Sequence, residues 1–332
     1  MSQINLTDIS LISDHNFENT ALDVFRYQFT HCEVYRRFCR QLGKEREKVT
    51  QLNQIPFMPT SAFKSHRIID TDNEPALIFE SSGTTGQLPA RHYVRDAGVY
   101  EQSFLITFQQ YYGSPNEYCI LALLPTYLQR KHSSLVYMTD TLMKISAHPN
   151  NGFFLDEFSA LSYRLKANEA SGQKTILLGV SYALLDFSES YPLPLKHTIV
   201  METGGMKGKR PELPRTELHR ILKQHFQLDH IHSEYGMTEL LSQAYSKSDG
   251  IFKCPPHMRI LIREEDDPLT FKDATNLHES ITGPINIIDL ANRHSCSFIA
   301  TEDLGRLDPD GSFEVLGRVQ DSDIRGCGLM YG

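Results

Sequence analysis

The sequence predicts an α/β fold, a parallel sheet with helices, followed by a smaller β-rich part. Three observations carry this. The near-continuous apolar runs Tyr118 to Leu124, Thr175 to Gly179 and Thr198 to Met201 have the character of strands buried on both faces, as in parallel sheets. Helical segments lie between them, around Ser134 to Ile145, Asp156 to Ala170 and Tyr182 to Phe187, and that alternation makes a parallel sheet. Beyond Glu239 the pattern changes: Met258 to Ile262, Gly283 to Leu290 and Ser297 to Ala300 read as strands of an antiparallel region. Ligands are expected at the carboxyl ends of the parallel strands.

In chain order, residues from about Phe17 to Leu42 carry apolar positions at helical spacing, including Phe25, Phe29, Cys32, Tyr35, Phe38 and Cys39. Gly43 is the expected helix stop. Next, Ile55 to Ser65 holds Pro56 and Pro59, which argues against a regular element. Lys64, His66 and Arg67 make a basic spot there, and the plain reading is a solvated loop. Pro75 to Glu80 reads as a short buried strand. Asp96 can cap a helix running to Tyr112 and closed by Gly113. A further helix spans Pro214 to Phe226. Asp308-Pro309-Asp310-Gly311 reads as a hairpin turn between Gly305-Arg306-Leu307 and Phe313-Glu314-Val315-Leu316.

The chain has 332 residues, enough for one large domain or two. Hydrophobic residues make up 40% and charged residues 22%, an ordinary soluble profile. A net charge of -8 argues against a general nucleic-acid binder, which needs excess Lys and Arg. No apolar run approaches transmembrane length, and the first residues lack a signal-peptide pattern. The six cysteines are scattered with no Cys-x-x-Cys pair, so a reduced, cytoplasmic protein is expected and zinc is not. There is no internal repeat.

The chemistry centres on Ser81-Ser82-Gly83-Thr84-Thr85-Gly86, directly after a predicted strand. Gly83 and Gly86 let an anion approach the backbone, and the hydroxyls add donors for phosphate oxygens. It is not the lysine-bearing P-loop, and a flexible Ser/Thr/Gly linker is the plain alternative. Met201-Glu202-Thr203-Gly204-Gly205 again ends a strand in glycines, with Lys207, Lys209 and Arg210 beyond it. A basic glycine loop before a helix suits an anionic ligand; the alternative is a helix-entry turn with solvated charges. In Tyr235-Gly236-Met237-Thr238-Glu239 a ring, a hydroxyl and a carboxylate lie within five residues. Tyr235 can stack on a base, Thr238 can bond a phosphate oxygen, and Glu239 can hold Mg²⁺, which wants oxygen ligands. His230 and His232 alternate on a predicted strand and read as structural rather than as metal ligands.

Four motifs, Ser81 to Gly86, Tyr235 to Glu239, Thr301-Glu302-Asp303 and Gly317-Arg318-Val319-Gln320-Asp321, occur in the order seen in adenylate-forming enzymes. Within that superfamily the chain most resembles the acyl-protein synthetases, the luciferin-component ligases of bacterial bioluminescence, with phenylacetate-CoA ligases as cousins. That resemblance covers nearly the whole chain and includes Phe25-Arg26-Tyr27-Gln28, Ile55 to Pro59, Phe63-Lys64-Ser65, Pro125-Thr126-Tyr127-Leu128, Ser133-Ser134-Leu135 and Arg325-Gly326-Cys327. It implies a fold like the N-terminal domain of adenylate-forming enzymes: residues 1–240 an α/β acyl-activating body, 241–326 a β-rich subdomain completing a nucleotide site where the two meet, and 327–332 a tail. It implies ATP and Mg²⁺ as cofactors. Ser81, Ser82, Gly83, Thr84, Thr85 and Gly86 would clasp the β- and γ-phosphates. Gly204 and Gly205 would line the adenine pocket, Tyr235 would stack on adenine with Gly236 beside it, and Thr238 would touch the α-phosphate. Glu239 would ligate Mg²⁺, and Asp303 and Arg318 would hold the ribose.

Two departures stand out. The larger ligases continue into a small domain bearing a catalytic lysine; here only Cys327 to Gly332 follow Gly326, so that domain is expected to be absent, as in the acyl-protein synthetases. Lys64, Lys207 or Arg210 is then the source of positive charge. Where ligases carry Pro-Lys after the glycine loop, this chain has Pro89-Ala90-Arg91. Cys327 differs from the other cysteines: it lies between Gly326 and Gly328, next to Arg325, where a cation favours the thiolate. The resemblance supports it as the acyl acceptor, against an ordinary thiol near a terminus. Two functions follow. One is an ATP-dependent enzyme that activates a carboxylic acid, expected to be a fatty acid, and passes the acyl group to a thiol: Cys327 and then a partner, or external coenzyme A. The other is a non-catalytic nucleotide-binding partner of an acyl reductase or acyl carrier protein.

Overall fold

A computed structural model describes residues 8–70, 74–81, 88–124, 132–206, 209–264 and 266–319. Its first elements are α1 (Phe17–His31), α2 (Glu33–Gln41), β1 (Met58–Pro59), the single turn α3 (Ala62–Ser65), β2 (Leu77–Glu80), β3 (Arg91–Val94) and α4 (Ala97–Tyr112). There follow β4 (Cys119–Leu123), α5 (Ser134–Ser146), β5 (Gly152–Phe154), α6 (Phe158–Ser171), β6 (Thr175–Val180), α7 (Ser181–Ser190), β7 (Thr198–Thr203), α8 (Arg215–Phe226), β8 (His232–Tyr235) and β9 (Ala244–Ser246). The last are β10 (Met258–Arg263), β11 (Phe271–Asp273), β12 (Ile281–Asp289), β13 (Phe298–Leu307) and β14 (Phe313–Arg318). By contact the chain divides into two compact units. One takes the described residues of Met1–Ile106, Met237–Ser242 and Lys253–Gly332, the other those of Thr107–Gly236 and Gln243–Phe252.

The second unit is α/β and takes in only part of residues 1–240. Its sheet runs in the order β5-β4-β6-β7-β8-β9, parallel except for β9. Every residue of β4 and of β6 is buried, which is why both read as unbroken apolar runs. The helices lie close to their predicted places, α6 ending at Gly172 in the left-handed conformation. Leu161, Leu165, Leu184, Phe187 and Phe226 fill the core.

The first unit joins residues 8–106 to residues 253–319. Its main sheet runs β1-β13-β12-β10-β11, with β14 on β13, and all its pairings are antiparallel except β1 with β13. Phe25, Tyr35, Phe57 and Phe298 form one aromatic cluster, with Tyr35 stacked on Phe298 at 6.0 Å. The Tyr35 hydroxyl donates to the Pro56 carbonyl at 2.8 Å, and the Gln28 amide donates to the Asn292 and Arg293 carbonyls. A separate two-stranded sheet pairs β2 with β3. No helix among the described residues is long and apolar enough to cross a membrane.

Several expectations need correction. The Phe17 to Leu42 segment is two helices, because Cys32 takes extended backbone between α1 and α2. Ile55 to Ser65 is not a solvated loop without regular structure. Met58 and Pro59 pair with Ile299 and Ala300, α3 follows, and Phe57, Met58, Ala62 and Phe63 are buried. Pro59 is tolerated because β1 is an edge strand. The strand at Pro75 to Glu80 is only partly buried, with Phe79 alone fully inside. Its partner β3 went unrecognised, because four residues of mixed polarity give no clear period. The strands expected at Ser297 to Ala300 and at Gly305 to Leu307 are one strand, β13, which begins at Phe298 and whose register shifts beside Gly305. Of the two alternating histidines, only His232 lies in β8.

Candidate active site

The first unit holds the segment Met237–Ser242 in a frame of buried polar groups. Asp289, the last residue of β12, accepts from the Leu241 and Ser242 main-chain N–H groups at 2.7 and 3.0 Å and from the Ser242 hydroxyl at 2.6 Å. Asn292 donates from Nδ2 to the Glu239 carbonyl at 2.8 Å and to the Cys296 carbonyl at 2.9 Å. His92, on β3, has Nδ1 at 2.8 Å from the Thr238 carbonyl oxygen and Nε2 at 2.9 Å from Asn292 Oδ1. Burial pushes the His92 imidazole down to about 4, so the ring is neutral at ordinary pH.

In this frame Glu239 is 8% exposed. Burial raises its carboxyl to about 7; Glu302 and Asp303 push in the same direction, and Lys64 opposes them. The charges that act on Glu239 thus come from residues spread from position 64 to 303: Glu302 and Asp303 as acids, Lys64 as a cation. Lys64 is exposed on α3, whose fold depends on the buried Ala62 and Phe63. Thr238 is half-buried.

Asp303 and Arg318 are cross-strand partners on β13 and β14. Arg318 Nε lies 4.0 Å from Asp303 Oδ1, and its side chain is 79% exposed, free to turn toward a ligand. Ser81 closes the base of the β2–β3 hairpin: its N–H donates to the Ala90 carbonyl at 3.0 Å, and its hydroxyl oxygen accepts from the Ala90 N–H at 2.9 Å. Ser82, Gly83, Thr84, Thr85 and Gly86 lie outside the described residues, as do Lys207, Pro125 to Leu128 and Cys327.

In the second unit, β7 runs into Gly204, which has φ +64, a conformation glycine reaches without strain. The Gly204 carbonyl accepts from the Ser181 hydroxyl at 2.8 Å. A Cβ on Gly205 would stand 3.8 Å from Glu212, so little crowds it. Below this turn Glu202 is buried. Burial alone would raise its carboxyl, but hydrogen bonding to His219 and the charge of Arg215, at 3.1 Å, hold it below the ordinary range. Tyr235, at the end of β8, is mostly buried, with its ring 5.9 Å from that of Phe252. A Cβ on Gly236 would come within 2.5 Å of Glu234 Oε1, and Glu234 is itself held by the Thr203 hydroxyl. Any side chain at 236 would press on the Glu234 carboxylate and shift it.

The other candidate cations are not equal. Arg210 is engaged by Asp186 at 2.7 Å and by Glu189 at 2.9 Å, whereas the charge of Lys64 acts on Glu239. His230 meets the Ser248 hydroxyl at 3.0 Å and His232 meets the Tyr112 hydroxyl at 3.2 Å. Cys32, Cys39, Cys119 and Cys296 are buried, and burial pushes the Cys32 and Cys39 thiols up to about 11 and about 12. Glu302 lay within a recognised motif but carried no expected role. His92 and Asn292 carried no motif signal at all.

The fold has solved counterparts. A crystal structure of 2-hydroxyisobutyryl-CoA ligase in the postadenylation state aligns over 92% of this chain and 68% of its own, with TM-score 0.62 and 10% identity. O-succinylbenzoate coenzyme A synthetase from Bacillus subtilis, in complex with AMP, aligns over 76% of this chain and 63% of its own, with TM-score 0.52 and 18% identity. The architecture is that of the adenylate-forming ligases. The sequence places it more narrowly. Residues 12–331 match the family described as acyl-protein synthetase, LuxE, and the chain belongs to that family. Two relatives carry the name long-chain-fatty-acid–luciferin-component ligase. That of Vibrio harveyi is 23% identical over 327 residues, 92% of this chain and 84% of the relative. That of Photorhabdus luminescens is 42% identical over 67 residues, 20% of this chain, and the match spans only 57% of the relative's length.

Proposed function

We propose that this protein is an ATP-dependent acyl-activating enzyme that joins a fatty acid to AMP and passes the acyl group to a thiol. One observation carries the reading: in a chain of the acyl-protein synthetase family, the motif carboxylate Glu239 is buried within the electrostatic reach of the acids Glu302 and Asp303 and of the Lys64 cation. In the first half-reaction a carboxylate oxygen attacks the α-phosphorus, and pyrophosphate leaves as the P–O bond breaks. Positioning and charge neutralisation are the main demands, and no protein nucleophile takes part. Thr238 would donate to an α-phosphate oxygen and Lys64 would offset the growing negative charge. Tyr235 and Gly204–Gly205 would receive the adenine, and Asp303 and Arg318 the ribose. Among the described residues no three His, Cys, Asp or Glu side chains form a metal cluster. Mg²⁺ fits nonetheless, since it commonly takes one or two protein carboxylates and completes its shell with phosphates and water. Glu239, buried and short of positive charge, would hold it, and the ion would neutralise phosphate charge when bound.

In the second half-reaction a thiolate attacks the acyl carbonyl, AMP leaves, and a thioester remains. Cys327 would supply that thiolate, its proton passing to solvent, before transfer to a partner such as an acyl reductase. The test is pyrophosphate release from the full chain with Mg²⁺, ATP and a panel of fatty and aryl acids, followed by a labelled acid. Acid-dependent release and hydroxylamine-sensitive label that disappears in Cys327→Ser are expected. No release with any acid rejects adenylation. Label undiminished in Cys327→Ser, or release without any protein label, rejects the acyl-enzyme and leaves an external thiol such as coenzyme A.

A further inference from the structure

The hydrogen bonds at His92 join parts of the chain that are 146 and 200 residues apart. His92 and Asn292 are 0% and 1% exposed. The two Asn292 donor contacts, to the Glu239 and Cys296 carbonyls, fix the amide so that its oxygen faces His92. Both ring nitrogens therefore face acceptors, the Thr238 carbonyl and Asn292 Oδ1. A neutral ring carries one N–H and donates to one of them at a time. The single ring proton satisfies one of the two buried acceptors, a modest contribution to stability, while the ring meets Phe63 edge to face. What the arrangement does achieve is direction. Successive carbonyls, of Thr238 and Glu239, are each held by one member of a linked pair, so both peptide planes are set. With them are set the directions in which the Thr238 and Glu239 side chains leave the backbone. His92 is also the register partner of Phe79, so the same contact ties the motif to the β2–β3 hairpin.

We propose that His92 and Asn292 are positioning residues for adenylation, which orient Thr238 and Glu239 through their main-chain carbonyls without touching the reactants. This rests on the adenylate-forming reading above. The experiment measures pyrophosphate release for the wild type, His92→Phe, His92→Gln, Glu239→Asp and the pair His92→Phe/Glu239→Asp, varying Mg·ATP and acid separately. His92→Phe should lower kcat/KM for Mg·ATP by about tenfold or more, since small misplacement of a reacting group is costly. The KM for the acid should be unchanged, and His92→Gln, which restores one donor, should recover part of the loss. The loss should be smaller in the Glu239→Asp background, because the carboxylate being positioned is already displaced. A wild type without adenylation activity overturns the functional reading and this inference with it. An active wild type with His92→Phe within about twofold of it overturns this inference alone. So does a loss fully additive with Glu239→Asp. If His92→Phe does not fold, Asn292→Asp, which removes the donor to the Glu239 carbonyl while keeping the side chain's shape, is judged by the same criteria.

Discussion

Glu239 shows how a carboxylate suited to a cation weakens the protein that carries it. Its carboxyl stands at about 7 against an ordinary 4.5, chiefly through burial. Between those values the folded protein keeps a proton that the unfolded chain gives up. Stability from this group is complete below 4.5 and is lost as pH rises through about 7. Glu239→Gln removes the ionisation. Without Mg²⁺ the variant should be more stable than the wild type at about pH 8, by up to roughly 3 kcal/mol, and the gap should close toward pH 4.5. Urea unfolding at both pH values measures this; equal stability at the higher pH means that the carboxyl is solvated. The same variant should lose Mg²⁺-dependent pyrophosphate release, since a carboxylate beside phosphate in a partly dry site contributes several kcal/mol. Release at the wild-type rate removes Glu239 from the metal role.

Among the elements, β13 does the most to assemble the first unit. It pairs with β12 and β14 antiparallel and with β1 parallel, and its first residue, Phe298, meets Phe25, Tyr35 and Phe57. Phe298→Ala should cost about 3–5 kcal/mol by lost burial and the cavity left behind. A shift in urea midpoint equivalent to less than about 1 kcal/mol would mean that the N-terminal helices do not depend on this contact. Strands such as β4 and β6 were legible because burial on both faces writes a continuous apolar run. β1 was not, because Pro59 argued against a strand and its pairing with Ile299 and Ala300 has no local signature. β3 was not, because half of a partly exposed hairpin carries too few apolar positions. The break at Cys32 was not, because apolar spacing continued through it.

Across the whole molecule, acid sensitivity follows from three histidines, His92 and His257 buried and His232 half-buried. Burial holds His92, His232 and His257 each at about 4 against an ordinary 6.5. Below 6.5 the unfolded chain takes up protons that the folded one refuses, so stability falls progressively until about 4. Each group is worth on the order of 3 kcal/mol over that window, and Glu239 offsets roughly one of the three. The urea midpoint should therefore fall between about pH 6.5 and pH 5, well above the range in which carboxylates such as Asp70, held at about 2, begin to protonate. A midpoint that stays level across that interval would show that these rings reach water.

By itself the sequence determined the α/β class, the buried parallel strands β4, β6 and β7 with the helices between them, and the four motifs of the family, since these depend on local apolar period and on residues adjacent in the chain. The placement of Thr238, Glu239, Asp303 and Arg318 as candidates came from those motifs, and β13 and β14 bring the last two face to face. Only the tertiary structure decided that early and late described segments share one compact unit, that the charges of Lys64 and Glu302 act on Glu239, and that His92 and Asn292 hold the Thr238 and Glu239 backbone. These are long-range hydrogen bonds and charge contacts between single polar residues. Such residues leave no period in the sequence, because their partners are chosen by the fold rather than by their neighbours.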